Sequence, residues 1–143
     1  MREQPDYYYI QSAVIPFRRV GDDLELLMIT SRKKKRWIIP KGIVESPLSP
    51  ADSAAKEALE EGGIRGNVCA KAIGNYAYEK WGGTCMAEVF VMEVTEVLEF
   101  WDEDFRDREW IGLSSAIVRI QEAELKKICA TLPSFLKEQN SCF

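Results

Sequence analysis

One segment of the chain carries both the start and the stop signal of a helix. Ser49 and Pro50 suit the N-cap and the first helical position, and Asp52 stands where a capping-box acid is expected. Gly62 and Gly63 supply a left-handed stop at the other end. The sequence therefore predicts a helix whose two ends are fixed by these residues.

The predicted helix has two faces of opposite character. One face is small and apolar and consists of Ala51, Ala55, Ala58 and Leu59. Such a face packs closely on another element. The other face carries Glu57, Glu60 and Glu61 within an arc of about 100°. Glu57 and Glu61 form a like-charge pair one turn apart, which costs an isolated helix a few tenths of a kcal/mol. Since Ser53 and Ala54, one turn earlier, are uncharged, we expect positive charge from outside the helix.

Clustered carboxylates on a rigid helix favour Mg²⁺ or Mn²⁺, which are hard cations that prefer oxygen ligands. Mg²⁺ keeps several waters and takes one or two carboxylates together with substrate phosphates, which an open row of glutamates can accommodate. A carboxylate outside the metal shell can accept a proton from the attacking water. A solvated acidic helix face is the alternative interpretation.

A strongly basic segment precedes the helix: Arg32, Lys33, Lys34, Lys35, Arg36 and then Lys41. Such runs form solvated loops or bind nucleic acid. Here the run lies between two predicted buried strands, close to the glutamate helix. Cations beside a metal-binding acidic face are typical of a polyphosphate site. The sequence has no Gly-x-x-x-x-Gly-Lys-Ser/Thr loop, which excludes P-loop chemistry.

The 143 residues include no histidine, which excludes Ser-His-Asp and Cys-His catalysis and histidine-bound metals. Acid–base chemistry near neutral pH therefore depends on carboxylates, lysine, tyrosine or metal-activated water. A net charge of −4 disfavours nonspecific binding of nucleic acid. The first residues contain no apolar signal core and no run approaches a membrane span, so we expect a cytoplasmic protein that contacts no membrane.

Four cysteines are scattered along the chain without Cys-x-x-Cys spacing: Cys69, Cys85, Cys129 and Cys142. This distribution disfavours zinc and a disulfide framework. We therefore expect four reduced thiols, some of them core residues.

The rest of the chain alternates strand and helix patterns. Strands are predicted at Tyr7–Arg18, Glu25–Thr30, Trp37–Ile39 and Arg108–Ile111, with a hairpin of Val68–Tyr78 and Cys85–Val97. Helical spacing covers Ser114–Leu136 with a break near Gln121. We expect one α/β domain over residues 1–143, in which helices pack on a mixed sheet.

The helix and the segment before it resemble a Nudix box: Gly, five residues, Glu, seven residues, then Arg-Glu-apolar-x-Glu-Glu-x-Gly-apolar. The residues in register, over a box at 42–64, are Gly42, Glu57, Ala58, Glu60, Glu61, Gly63 and Ile64. Leu48 replaces the first glutamate and Lys56 replaces the arginine. Glu45 is the nearest carboxylate that could substitute at the position of Leu48.

Three flanking segments extend the resemblance. Trp37–Gly42 resembles the segment before the box in enzymes that hydrolyse diadenosine polyphosphates. Thr95–Trp101 and Arg106–Trp110 are similar to the diphosphoinositol polyphosphate phosphohydrolases.

The resemblance implies a Nudix fold, with a mixed curved sheet sandwiched between helices (α/β/α). It implies that Glu57 and Glu61 bind Mg²⁺ or Mn²⁺ together with the backbone carbonyl of Lys41 or Gly42. It also implies that Glu60 accepts the proton of the attacking water. Glu103 and Asp104, in a later acidic run, are the fallback bases, although a solvated loop is the favoured interpretation of that run.

Substrate contacts are expected from the basic residues. Arg32 and Arg106 match positions that contact phosphates in the inositol enzymes, and Lys33, Lys35, Arg36 and Lys41 complete the predicted substrate-binding set. Other basic positions of those enzymes correspond to Ile10, Gln11 and Met86, which counts against a full inositol-phosphate clamp. Of the aromatics Tyr76, Tyr78 and Trp81, Tyr78 is the candidate to stack on a base.

These residues predict a metal-dependent Nudix pyrophosphohydrolase that acts on a small-molecule polyphosphate. The predicted substrate is a nucleoside diphosphate linked to another group, with dinucleoside polyphosphates first and diphosphoinositol polyphosphates second. Leu48 and Lys56 support the alternative of a catalytically impaired Nudix module that binds a nucleotide or a protein partner. RNA binding by the basic loop is disfavoured by the net charge, and the sequence leaves an oligomer open.

Overall fold

The computed structural model describes residues 10–80 and 82–143. The strands of this part are β1 Ile10–Val20, β2 Asp23–Thr30, β3 Trp37–Ile38, β4 Lys41–Ile43, β5 Ile64–Val68, β6 Gly74–Lys80, β7 Gly83–Val97 and β8 Arg108–Gly112. Its helices are α1 Pro50–Gly62, α2 Leu113–Arg119, α3 Ala123–Ala130 and α4 Leu132–Glu138, followed by a 3₁₀ turn at Asn140–Cys142. Tyr7 to Tyr9 of the first predicted strand, and Trp81, lie outside the described residues.

Strand β1 is the centre of a mixed sheet. It runs parallel to β7 along one edge. Its other edge is shared by two antiparallel partners, because its first residues pair with β4 and its last residues pair with β2. Strands β3 and β8 extend the sheet beyond β2, while β5 and β6 pair with β7. The short pairing of β4 with β1 brings the residues after the basic loop next to the central strand.

Helices cover both faces of the sheet. Helix α1 packs over Val14, Leu27 and Phe90. Helices α2, α3 and α4 pack over the opposite face, where the buried side chains include Ile15 and Phe17. Neighbouring residues of β1 therefore point to different cores, as the alternation of a strand requires. The predicted α/β/α arrangement is confirmed.

Within the described residues, the longest helix is α1, and none is both long and apolar enough to cross a membrane. The cytoplasmic location stays a prediction.

Two predicted elements are divided in the structure. The segment Val68–Tyr78 is not one strand, because the chain turns at 69–73 and passes from β5 to β6. Both strands pair with β7, whose 15 residues are long enough to serve them in turn. The break near Gln121 is confirmed between α2 and α3, and a second break at Thr131 precedes α4.

The cysteines do not all remain thiols. Cys69 and Cys142 form a disulfide across 73 residues of sequence, so the prediction of four reduced thiols is wrong for this pair. Cys85 and Cys129 are not part of a disulfide, and both are buried. The C-terminal turn that carries Cys142 is packed against the core, where the rings of Phe143 and Phe17 meet edge to face with centroids 5.5 Å apart. The spacing of the cysteines in the sequence could not predict this contact.

The predicted ends of α1 are confirmed. The Ser49 hydroxyl accepts a hydrogen bond from the Asp52 backbone N–H at 3.1 Å. At the other end Gly63 adopts a left-handed φ of 65°. The helix that carries the glutamates is therefore held at both termini.

Replacing Ser49 with alanine removes the N-cap acceptor. We expect Ser49→Ala to lower the free energy of unfolding by about 1 kcal/mol, measured by urea denaturation. Ser49→Asp is the matched control, since it restores an acceptor and should stay close to the parent. Equal stability of Ser49→Ala and the parent would show that the cap does not stabilise α1.

Candidate active site

A cleft of about 560 Å³ lies where α1, β4 and the basic loop meet. The carboxylates in its lining are Glu57, Glu61, Glu79 and Glu103. Its cationic residues are Arg32, Arg36, Lys41, Lys80 and Arg106. The cleft therefore brings the acidic face of α1 together with cationic residues of the basic segment, as the sequence analysis predicted.

Glu57 lies directly against the backbone of Gly42. Its residue surface is only 9% exposed, and a Cβ added at Gly42 would overlap its carboxylate. The Ser12 hydroxyl donates to the Pro50 carbonyl at 2.8 Å and ties the start of α1 to β1. A glycine is therefore required at position 42 because α1 approaches β4 this closely.

Glu57 and Glu61 share a buried and electrostatically costly position. Burial raises the pKa of both carboxyls, and the charge of Glu60 adds to the effect on Glu57 while that of Glu57 adds to the effect on Glu61. A hydrogen bond between the two carboxyls and the charge of Arg106 act in the opposite direction. The Lys41 backbone N–H also donates to Glu61 Oε1 at 3.3 Å. The pair is therefore more stable with a bound proton or a bound cation than as two carboxylates without a counter-charge.

Glu60 is placed apart from this pair. Lys56 Nζ lies 2.9 Å from Glu60 Oε1 and 3.4 Å from Glu45 Oε2. Glu60 therefore has a counter-charge on its own helix, and the expectation that all positive charge comes from outside α1 is wrong for it. Neither Glu60 nor Glu45 lines the cleft. Glu45 pairs with Lys56 instead, so it does not supply the carboxylate that Leu48 lacks.

Glu103 enters the cleft from the segment between β7 and β8. Its carboxylate accepts hydrogen bonds from Arg106 Nη2 at 2.8 Å and Nε at 3.2 Å. Arg106 is buried and also donates to the Thr30 carbonyl at 2.9 Å. Arg32 Nη2 lies 3.7 Å from the same Glu103 oxygen. Asp104, the other fallback base, is exposed and outside the lining of the cleft.

The basic loop is folded around Ser31. The Ser31 hydroxyl accepts bonds from the backbone N–H groups of Lys35 and Arg36 at 3.2 and 3.4 Å. Lys33 and Lys35 line an adjacent depression of about 440 Å³ that also includes Arg32 and Arg36. The predicted substrate-binding residues thus fall into two groups: Arg32, Arg36, Lys41 and Arg106 in the cleft, and Lys33 and Lys35 beside it.

Lys41 and Tyr78 contact each other inside the cleft. The Lys41 ammonium lies 3.9 Å from the centre of the Tyr78 ring, a cation–π contact. Burial lowers the pKa of Lys41. The Tyr78 hydroxyl donates to the side-chain oxygen of Gln11. The aromatic ring predicted to stack on a base therefore lies in the site, with a cation against it.

The donors in the cleft fit a hard divalent cation. Within the described ranges, 10–80 and 82–143, no group of three or more acidic, cysteine or histidine side chains is arranged to hold a metal ion by itself. Mg²⁺ needs only one or two carboxylates when water and substrate phosphates fill its remaining positions. Glu57, which lies against the Gly42 backbone, and Glu61 beside it supply such a partial set of oxygens.

Some residues of the site were missed or underrated from sequence. Lys80 and Gln11 were not assigned to the cleft, and Glu103 was only a fallback. The spacing of Glu103 to Arg106 on one turn was the available signal, but the acidic run around Glu103 is equally typical of a solvated loop. Lys80 lies at the end of β6, and only the pairing of β6 with β7 carries it to the cleft.

Comparisons with known proteins agree with this fold and site. Residues 10–132 match the family model described as NUDIX domain. The chain is 32% identical over 120 residues to diphosphoinositol polyphosphate phosphohydrolase 3-beta of Bos taurus, which covers 82% of this chain and 72% of the relative. It is 34% identical over 114 residues to diphosphoinositol polyphosphate phosphohydrolase 2 of Rattus norvegicus, which covers 78% of this chain and 62% of the relative.

A solved structure shows the same fold at lower sequence identity. The crystal structure of C. elegans Ap4A hydrolase superposes with a TM-score of 0.72 at 18% identity, covering 90% of this chain and 98% of that one. The fold and the site together define the class of this protein: an α/β/α domain in which an acidic helix faces a cationic cleft. The chain belongs to the NUDIX domain family, the Nudix hydrolases, and the predicted family and enzyme class are confirmed.

The raised pKa values predict how pH affects the metal-free protein. A folded-state pKa above the ordinary 4.5 means that protonation of Glu57 and Glu61 stabilises the fold. That contribution is complete below the ordinary value and is lost as pH rises through the raised values. A cation must displace the bound protons, so stabilisation by Mg²⁺ or Mn²⁺ should increase with pH.

Melting curves with and without Mn²⁺, at about pH 5 and about pH 8, measure this effect. We expect a larger rise in Tm at the higher pH. The control is the Glu57→Gln, Glu61→Gln double variant, in which both the pH effect and the metal effect should shrink. A metal-induced rise in Tm that is the same at both pH values would contradict the assignment.

Proposed function

We propose that this protein is a divalent-cation-dependent pyrophosphohydrolase that cleaves a phosphoanhydride bond of a small-molecule polyphosphate. The observation that carries the proposal is the carboxylate pair Glu57 and Glu61, with Glu57 against Gly42, in a cleft whose cations include Arg32, Lys41 and Lys80. Family membership supports the reaction class.

The carboxylate pair would hold Mg²⁺ or Mn²⁺. A cation bound there would neutralise charge on the phosphate and promote deprotonation of the attacking water. Burial favours this use, because two glutamates in a partly desolvated site gain more from a cation than solvated ones do. Glu61 is further fixed by its bond from the Lys41 N–H.

The cations of the cleft would bind the phosphates that are not cleaved. Arg32 is suited to the outer phosphates because its side chain is 72% exposed. Arg106 is buried and engaged by Thr30 and Glu103, so we assign it mainly to holding Glu103. Lys33 and Lys35, in the adjacent depression, would extend the positive surface toward a longer anionic chain.

The proton acceptor is Glu103 or Glu60. Glu103 lies in the cleft with Glu57 and Glu61, and its placement favours it. Glu60 bonds to Lys56 on the side of α1 that faces Glu45. The role predicted for Glu60 stays a prediction, since Lys56 could also hold its carboxylate ready to accept a proton.

Two substrate classes have support. The sequence relatives are named diphosphoinositol polyphosphate phosphohydrolases, which favours an inositol polyphosphate. Tyr78, which lines the cleft beside the neutral side chain of Gln11, favours a dinucleoside polyphosphate with a base to stack on the ring. Both substrates are anionic small molecules with a phosphoanhydride bond.

The second candidate function is a catalytically impaired Nudix module that binds a nucleotide or a protein partner. Leu48 stands at a glutamate position of the box, and Glu45 pairs with Lys56 outside the cleft. The cleft therefore lacks a replacement carboxylate from this segment. This alternative predicts ligand binding without turnover.

Hydrolysis of a substrate panel separates the two functions. With Mg²⁺ or Mn²⁺, we expect phosphate-containing products from a dinucleoside polyphosphate or a diphosphoinositol polyphosphate, and a chelator should abolish them because the carboxylate pair then lacks its cation. Product analysis by ion-exchange chromatography measures both. A protein that is stabilised by these compounds but hydrolyses none of them would be a binding module.

Single carboxylate changes assign the roles inside an active protein. Glu57→Gln and Glu61→Gln should weaken metal binding and slow hydrolysis together. The variant that removes the proton acceptor should lose about 10²-fold in kcat while it keeps its metal affinity, and we expect this from Glu103→Gln. Glu96→Gln, at an exposed partner of Arg65, is the matched control. Loss of kcat in Glu60→Gln alone would give the role to Glu60.

A further inference from the structure

The C-terminal end of α1 is bonded to the segment that carries Glu103. The last four carbonyls of a helix have no partner within the helix. Here the Glu103 N–H donates to the Glu60 carbonyl at 3.0 Å, and the Trp101 indole Nε1–H donates to the Glu61 carbonyl at 3.0 Å. The last turn of α1 and the 98–108 segment therefore form one hydrogen-bonded unit.

Arg108 continues this pattern at the end of the helix. Its Nη1 donates to the Gly62 carbonyl at 2.8 Å and to the Gly63 carbonyl at 3.3 Å, and its Nη2 bonds to the Leu98 carbonyl. The Leu98 N–H in turn donates to the Gly63 carbonyl at 2.8 Å. Helix α1 has no basic residue in its own last turn, so Arg108 supplies the positive charge that a helix C-terminus favours.

Trp101 and Arg108 are packed against each other and against Gly63. The guanidinium lies 3.9 Å from the centre of the Trp101 ring. A Cβ at Gly63 would lie 2.6 Å from Arg108 Nη1 and 2.7 Å from Trp101 Cγ. The two side chains therefore fill the space that a side chain at position 63 would need.

The same segment ends in the cleft. From Trp101 the chain runs to Glu103, and then to Arg106, which anchors on the Thr30 carbonyl. Glu61 also lines the cleft, and its own carbonyl accepts the bond from Trp101. The relative position of Glu61 and Glu103 thus depends on a few bonds outside the cleft.

We propose that Trp101 and Arg108 are positioning residues, which bond the last-turn carbonyls of α1 and thereby hold Glu61 and Glu103 in a fixed relative position in the cleft. Neither side chain lines the cleft, so both act through the glutamates. The inference rests on the proposed hydrolysis for its kinetic consequence, while the bonding itself is measurable without turnover.

Two conservative variants test the bonds. Trp101→Phe keeps a ring beside Arg108 but removes the indole N–H, which leaves the Glu61 carbonyl without that donor. Arg108→Lys keeps the charge but loses the planar fork that reaches several carbonyls. The matched controls are Trp110→Phe, whose ring stacks on Arg18, and Arg65→Lys, at an exposed pair with Glu96.

Amide hydrogen exchange measures the position of the segment directly. We expect exchange at the Glu103 and Leu98 N–H groups to accelerate by about tenfold or more in both variants, while amides of β1 and β7 keep their protection. In an active parent, kcat should fall by about tenfold or more with KM within about twofold, because misplaced carboxylates slow the reaction more than they weaken substrate binding.

Each result decides the inference. Unchanged protection at Glu103 and Leu98 in Trp101→Phe overturns it, and this variant suffices if Arg108→Lys does not fold. Lost protection with an unchanged kcat also overturns it, since the bonds would then have no effect on the site. A parent without hydrolysis would overturn the proposed function alone, and the exchange data would still establish or reject the bonding unit.

Discussion

Two like-charged glutamates lie side by side in the wall of the cleft, Glu57 buried and Glu61 half-buried, and the surrounding structure accommodates them. Glu57 presses against the Gly42 backbone and Glu61 accepts a bond from the Lys41 N–H. Burial without a full counter-charge raises the pKa of both carboxyls. An arrangement that lowers the free energy of unfolding in this way is typical of a functional site whose charges are neutralised by a bound ligand.

The fold supplies the rigidity that this position requires. Strand β1 pairs with β2, β4 and β7, so the backbone facing the carboxylates, in β4, is hydrogen-bonded to the central strand. Helix α1 is capped by Ser49 at its start, and its last turn is bonded to the segment that precedes β8. The sheet, the N-cap and the bonds to the last turn thus hold the helix that carries the glutamates. These contacts keep α1 from moving away from the sheet at either end.

Charge is divided between two sides of α1. Lys56 satisfies Glu60 and Glu45 on one side, whereas Glu57 and Glu61 face the cleft. A lysine in place of the box arginine provides a single charged donor group instead of a planar fork. The two glutamates in the cleft are therefore left to other partners, and Arg106 acts on Glu61 from across it.

The amino-acid sequence determined the local elements and the family. The ends of α1 follow from Ser49, Pro50 and Gly63, because capping and left-handed stops depend on neighbouring residues only. Residue patterns also predicted strands β1 and β2, and spacing predicted that Glu57, Glu60 and Glu61 share one face of α1. The tertiary structure alone decided which carboxylates share the cleft, that Cys69 meets Cys142, and where Glu103 lies. These contacts join residues distant in sequence, and their energies depend on burial and on strand pairing, which no local pattern encodes.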